Sequence, residues 1–166
     1  MRLGLFMMPV HPPHRPMHET LAEDLEKSLL ADRLGFDEMF LGEHYSASTE
    51  PYPSPLMFMA SLIPRTSKLA FGTGVLSLPN RHPAIIAGEA AQFDNMSRGR
   101  FILGIGTGSL VSDFELLGNS DPALRNRLGA AAAETACRYT WDRNAIQMRD
   151  LFEKAAQQSS RRSSRQ

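Results

Sequence analysis

Apolar positions along the chain keep two alternating rhythms. Short apolar runs end at glycine or proline, and longer segments bring back leucine or isoleucine every third or fourth position. Arg2 to Met8 is a predicted strand, stopped by Pro9, and four prolines with His11 and His14 make the next loop stiff and irregular. Met17 to Leu34 is a predicted helix: Met17, Leu21, Leu25 and Leu29 recur every fourth residue, and Leu30 and Leu34 widen the stripe. Acidic residues crowd its first half, which suits the helix dipole, and Gly35 is a good stop. Phe36 to Leu41 reads as a second strand, ending in Gly42-Glu43-His44-Tyr45. Ser54 caps a second helix with Pro55 at its first position. From Leu56 to Ile63 that helix is apolar nearly all round, which predicts deep packing. A third strand from Lys68 breaks into Gly72-Thr73-Gly74, a third helix runs from His82-Pro83 to about Met96, and a fourth strand covers Arg100 to Ile105. Gly104, Gly106 and Gly108 loosen its end.

Strands and helices thus alternate with a repeat of about 30 residues, the length of a βαβ unit. That order predicts an α/β fold with a parallel sheet and right-handed crossovers. An open doubly wound sheet and part of a (β/α)₈ barrel both fit, and in both the ligands sit at the C-terminal strand ends. Those ends carry Met7-Met8, Glu43-His44-Tyr45, Gly72 to Val75 and Gly106 to Ser109. The predicted organisation is a β/α unit over residues 1–118, a divergent helical segment over 119–157 and a disordered tail over 158–166 rich in Arg and Ser.

The chain has 166 residues, enough for one domain with a sizeable core, and its formal net charge is zero. That balance gives no case for nucleic acid or an anionic membrane as partner. It hides an uneven distribution: nine Lys/Arg against thirteen Asp/Glu in residues 1–120, and nine against five in 121–166. One cysteine, Cys137, suits a reducing cytoplasm, and no apolar run approaches the ~18 residues of a membrane span.

Candidate chemistry gathers at the strand ends. Gly104-Ile105-Gly106-Thr107-Gly108-Ser109 departs from the dinucleotide fingerprint because serine stands at the third glycine position and the run follows the fourth strand, not the first. A glycine-lined strand end that receives a flat or phosphorylated ligand, or a tight turn alone, are the other two readings. His44 at a strand end is placed to act as a general acid or base near neutral pH, or to serve the fold only. His82 before Pro83 reads as a helix start. No spacing of His, Cys or acidic residues predicts a metal site, and no nucleophile elbow is visible.

Taken together, Arg2-Leu-Gly-Leu-Phe-Met-Met-Pro, Leu30 to Asp37, Leu41-Gly-Glu-His, Pro53-Ser-Pro, Phe71-Gly-Thr-Gly-Val, Leu78-Pro-Asn-Arg-His-Pro, Phe93 to Phe101, Gly104-Ile-Gly-Thr-Gly and Ser112-Asp-Phe-Glu keep one order and spacing. In that order they resemble the N-terminal half of the bacterial-luciferase-like flavin-dependent monooxygenases, on the branch near limonene and alkanal monooxygenases. The resemblance implies part of a TIM (β/α)₈ barrel with four of its strands, a half-barrel with two open sheet edges. It implies reduced FMN (FMNH2) at the mouth, O2 and a small apolar organic substrate, a separate flavin reductase, and a possible homodimer.

On the same resemblance His44 is the catalytic residue, near the reacting part of the flavin. Met7, Gly74, Val75, Gly106, Thr107 and Gly108 bind the cofactor, with a non-proline cis peptide expected at Gly74–Val75. Two positions depart from the pattern: Tyr45 stands where many relatives have a second histidine, and Thr107 where luciferases proper carry a basic residue. Two alternatives stand beside the monooxygenase: an F420-dependent oxidoreductase of the same fold, and a non-catalytic flavin-binding or self-associating fragment.

Overall fold

The computed structural model describes residues 2–124, 126, 127, 130 and 131. The chain divides into two compact units after Gly129. The first unit holds β1 (Gly4–Met7), α1 (Met17–Arg33), β2 (Glu38–Leu41), α2 (Pro55–Leu62), β3 (Ala70–Thr73), β4 (Leu76–Ser77), α3 (Pro83–Ser97), β5 (Phe101–Ile102), β6 (Ile105–Gly106) and α4 (Val111–Leu116). Short 3₁₀ turns at Ile63–Arg65 and Leu78–Asn80 follow α2 and β4. Residues 122–124, 126, 127, 130 and 131 are helical; the rest of the predicted segment 119–157 and the tail 158–166 lie outside the described residues.

The main sheet is parallel throughout, in the order β1-β2-β3-β5. Its register sets two rows of side chains on opposite faces, because alternate residues of a strand point to opposite sides. Leu5, Met39, Phe71 and Phe101 stand side by side, and they join one core with Leu29 of α1, Leu56, Met59 and Leu62 of α2, and Ile86, Ala90 and Phe93 of α3. Phe93 meets Phe71 edge-on at 5.9 Å between ring centres and Phe101 at 4.9 Å. Phe6, Phe40, Gly72 and Ile102 form the other row. No described helix covers it, and Phe6 is 58% exposed. Consecutive strands are therefore neighbours, and all three crossover helices pack on one face. A doubly wound sheet reverses its strand order and places helices on both faces, so these units are those of a TIM-type barrel, with the second row on the inside.

Local chemistry explains the element ends. Ser54 Oγ accepts from Met57 N at 3.3 Å and Pro55 opens α2. His82 Nδ1 accepts from Ala84 N at 3.2 Å, so it caps α3 as the sequence predicts. Gly35, at φ +82°, lets the chain turn from α1 into β2. Asp32, in the last turn of α1, accepts backbone N–H bonds from Ser67, Lys68 and Leu69 at 2.9–3.1 Å and so fixes where β3 begins. These three bonds, working against partial burial, hold its carboxyl below the usual range. Asp32→Ala is expected to cost about 2 kcal/mol in urea unfolding, the order for hydrogen bonds to a charged group.

The structure corrects the sequence expectation in three places. The buried line of α1 is Thr20, Asp24, Ser28, Leu29 and Ala31, while Met17, Leu30 and Leu34 are exposed. A polar cluster around Asp24 turns the helix away from the leucine stripe. Met57 escapes the deep packing of α2 and is exposed. The fourth predicted strand is two short ones, β5 and β6, separated at Leu103-Gly104; β6 pairs with the unpredicted β4 in a second parallel sheet at the mouth.

Candidate active site at the strand tips

Gly42 and Gly74 follow Leu41 and Thr73, the last paired residues of β2 and β3. Gly74 N donates to Leu41 O at 2.8 Å, which carries the ladder one step further. The Gly74–Val75 peptide is cis. The chain then shifts sideways, and Leu76 N donates to Gly104 O at 2.9 Å as β4 begins. A Cβ on Gly74 would lie 2.8 Å from the Phe6 ring, and one on Gly106 would lie 2.7 Å from Val75 Cγ2. Glycine at these two positions lets Phe6 and Val75 lie across bare backbone. The result is an open apolar shelf beside the tips, with Met8 and Val75 54% and 36% exposed.

His44 stands next to this shelf. Its backbone N donates to Tyr52 O at 3.3 Å. Its ring lies between two carboxylates: Nε2 is 3.3 Å from Glu50 Oε2 and Nδ1 is 3.6 Å from Asp113 Oδ2. Nδ1 makes no hydrogen bond among the described residues. Asp113, buried in α4, uses its other oxygen to accept from Tyr45 N at 3.1 Å, Ser46 N at 2.7 Å and Ser46 Oγ at 2.6 Å. One carboxylate therefore fixes the backbone that carries His44 and faces the ring itself. That is the positioning a proton-transfer group requires.

Glu43, one residue earlier, points to the opposite side and its side chain is 0% exposed. It accepts from Ser77 N at 3.0 Å and Tyr45 Oη at 3.1 Å, and pairs with Arg81 at 3.1 Å. Burial pushes its carboxyl above the ordinary value, and the nearby charge of Asp113 adds to the rise. The Ser77 N–H, Arg81 and Tyr45 act against it. Burial likewise pushes the Tyr45 phenol up.

A cavity of about 150 Å³ joins these groups and is lined by His44, Gly74, Val75 and Gly108 together with Glu43, Ser77, Asn80 and Asp113. Four of the seven sequence-predicted residues thus share one space, and Gly106 touches it through Val75. Thr107 lies outside this set and is exposed. Met7 stands apart: it is buried on the helix-facing side of β1, where Ser28 Oγ approaches its sulfur at 3.9 Å, and it lines a different cavity of about 360 Å³. Glu43, Glu50, Arg81 and Asp113 were not singled out from the sequence. For Asp113 the available signal was the Ser112-Asp-Phe-Glu motif opening a helix; for Arg81, some 38 residues from Glu43, there was none. Among the described residues no group of three or more His, Cys, Asp or Glu is placed to hold a metal ion. Nor is any helix there long and apolar enough to cross a membrane.

Residues 1–149 match the family described as luciferase-like monooxygenase. The chain belongs to that family. It is 39% identical over 151 residues to a 4-hydroxyprotoasukamycin monooxygenase of Streptomyces nodosus subsp. asukaensis, covering 90% of this chain and 40% of the relative. It is 38% identical over 149 residues to limonene 1,2-monooxygenase of Rhodococcus erythropolis, covering 90% and 38%. Among solved structures it is similar to the oxygenating constituent of 3,6-diketocamphane monooxygenase from Pseudomonas putida, a type II Baeyer–Villiger monooxygenase in complex with FMN. The TM-score is 0.69 at 30% identity, over 71% of this chain and 32% of that one. The chain spans about two fifths of the length of the curated relatives it matches.

Proposed function

We propose that this chain carries the His44 side of a flavin site in a monooxygenase that uses reduced FMN and O2 to oxidise a small apolar organic compound. The observation that carries the reading is His44, held between Glu50 and Asp113, in the cavity that Gly74, Val75 and Gly108 also line. The exposed apolar shelf of Phe6, Met8 and Val75 beside it fits one face of a planar ring. The diketocamphane protein to which the chain is similar was solved with FMN, which supports the choice of flavin. Val75 and Phe6 hold the ring face and exclude water, Gly106, Thr107 and Gly108 run along its far side, and Met7 supports the β1 tip from behind. The bound reduced flavin supplies the two electrons by which one atom of O2 enters the substrate and the other leaves as water. His44 takes or gives a proton at Nδ1, while Glu50 fixes the ring through Nε2 and Asp113 holds the loop. A flavin reductase is the source of reduced FMN, the chain works in the cytoplasm, as its single cysteine suits, and it associates as a homodimer.

The test is a fluorescence titration of the full chain with FMN, followed by oxygen uptake with a reductase and a panel of apolar substrates. His44→Ala is expected to lower substrate-dependent turnover about 100-fold, the usual scale for losing a general acid or base. FMN affinity should change less than about threefold, which separates chemistry from binding. The flavin reading fails if neither oxidised nor reduced FMN binds. Preferential binding of F420 would move the assignment to hydride transfer, and FMN binding with no substrate-dependent oxygen uptake would leave a non-catalytic flavin binder. Size-exclusion chromatography of the same samples reads the homodimer.

A further inference from the structure

The flavin reading uses His44 and the Gly74–Val75 shelf, and leaves a charged pair beneath them without a task. Glu43 is among the most deeply buried ionisable groups described, and its environment is built from three separate parts of the chain. Ser77 N, in the strand that follows the shelf, donates to Oε2 at 3.0 Å. Arg81, just before α3, reaches Oε1 at 3.1 Å. Tyr45, in the His44 loop, closes the ring: its phenol donates to Glu43 Oε1 at 3.1 Å and accepts from Arg81 Nε at 2.8 Å. Arg81 also donates to Pro53 O at 3.3 Å and to Glu89 of α3 at 2.6 Å. The position where relatives in the resemblance have a second histidine is therefore filled by a group that bridges both members of the ion pair.

We propose that Glu43, Tyr45 and Arg81 form a buried clamp that sets the spacing between His44 and the Gly74–Val75 shelf, and that they are positioning residues for the ring the shelf receives. The proposal rests on the flavin reading above. Its logic is geometric. His44 is bonded in sequence to Glu43, and Val75 stands two residues before Ser77, so the single Glu43 carboxylate fixes both sides of the cavity against each other. The clamp needs a counter-charge, because a carboxylate with no exposure and no cation is strongly disfavoured. Without Arg81 the carboxyl keeps a proton up to a higher pH. It then ionises on further rise, and its hold on Ser77 N and Tyr45 Oη changes at that point.

The groups facing Glu43 are Arg81, Tyr45 and the Ser77 N–H, with the charge of Asp113 in α4 acting on it and Glu89 of α3 reaching it only through Arg81. His44 and Asp113 respond to pH in their own right, so the decisive control keeps both of them and removes Glu43. FMN dissociation constants of the full chain are to be measured between about pH 6 and pH 8.5 for four proteins: the natural chain, Arg81→Met, Tyr45→Phe, and the double variant Glu43→Gln with Arg81→Met. In Arg81→Met the dissociation constant is expected to rise about tenfold across this range, one decade being the span of a unit shift in a coupled group. The double variant is expected to show the same shallow profile as the natural chain. Tyr45→Phe keeps the ion pair and is expected to weaken binding about threefold at every pH, the effect of one lost hydrogen bond.

The proposal is overturned if Arg81→Met and Tyr45→Phe bind FMN as the natural chain does at every pH. It is also overturned if the pH slope of Arg81→Met persists in the double variant, which would assign it to His44 or Asp113. If Arg81→Met does not fold, the Tyr45→Phe result decides alone. A second readout needs no flavin: the backbone amide resonances of His44, Val75 and Ser77 in the unliganded chain. In Arg81→Met all three are expected to move together with pH, and in the double variant the Ser77 movement is expected to vanish. If the natural chain binds no FMN, the flavin reading fails and these resonances judge the clamp by themselves; Ser77 moving without His44 and Val75 would sink it.

Discussion

Gly104→Ala is expected to lower the stability of the chain by about 3 kcal/mol, the upper end of the usual cost of forcing atoms into a packed site. An added Cβ at this position would run into the backbone oxygen of Thr73. Side chains at a crowded site swing aside, but this oxygen is fixed on both sides. Thr73 Oγ1 donates to Gly104 O at 2.7 Å and accepts from Gly104 N at 2.8 Å, and Leu76 N donates to Gly104 O at 2.9 Å. Relief of the clash must break part of this knot, which joins the tip of β3 to the break between β5 and β6. Gly88→Ala is the matched control. It sits inside α3 with no described atom within 4 Å of the new Cβ, and is expected to stabilise by about 0.5–1 kcal/mol through helix propensity. The measurement is the urea midpoint at unchanged slope. Equal shifts for the two variants would show that close approach at Gly104 is not what that glycine supplies.

That glycine also marks where the sequence stops being readable. Four β/α units were visible because each strand is an apolar run and each helix has its own period, and burial of Met39, Leu41, Phe71 and Phe101 against α1, α2 and α3 follows from that pattern. The two-residue strands β4 and β6 carry no such signal: Leu76–Ser77 and Ile105–Gly106 become strands only because the chain shifts sideways after Thr73 and after Leu103. Choosing a barrel over a doubly wound sheet also needed coordinates, since hydrophobicity alone does not say on which face the helices lie. At the site, His44 was legible from its place at a strand tip. Its two carboxylate neighbours were not, because Glu50 returns through a loop and Asp113 arrives from α4, 69 positions away in the chain. The stripe of α1 misled for a different reason. A buried aspartate contributes nothing to a hydrophobic period, yet it decides which side of the helix faces inward.

That aspartate, Asp24, carries the second large effect. Asp24→Ala is expected to cost about 3–5 kcal/mol near neutral pH, the range found when one partner of a buried charged network is removed. One of its carboxylate oxygens is 2.7 Å from His11 Nε2 and accepts from the Tyr52 phenol at 2.8 Å, and the other accepts from Lys27 at 2.9 Å. Lys27 is largely solvated and loses little, but Tyr52 and His11 are buried and would be left facing an apolar gap. Burial by itself would push the Asp24 carboxyl up; the bonds from His11, Lys27 and Tyr52 outweigh it and hold the group below its ordinary 3.8. A carboxyl depressed in the folded state stabilises it fully above the unfolded value, and that contribution fades as pH falls through the lowered folded value. The natural chain should therefore lose this part of its stability only in acid below about pH 3.8, and the difference from Asp24→Ala should shrink over the same window. Urea unfolding of both proteins from about pH 2 to pH 7 reads it directly; a difference that stays constant down to the acid end would mean that packing, not charge, is what the alanine removes. The consequence reaches the proposed active site, because His11 N donates to Thr49 O at 2.8 Å and Tyr52 O accepts from His44 N at 3.3 Å. Loss of Asp24 loosens the loop that carries His44 from below, so turnover in that variant should fall in step with stability at acid pH.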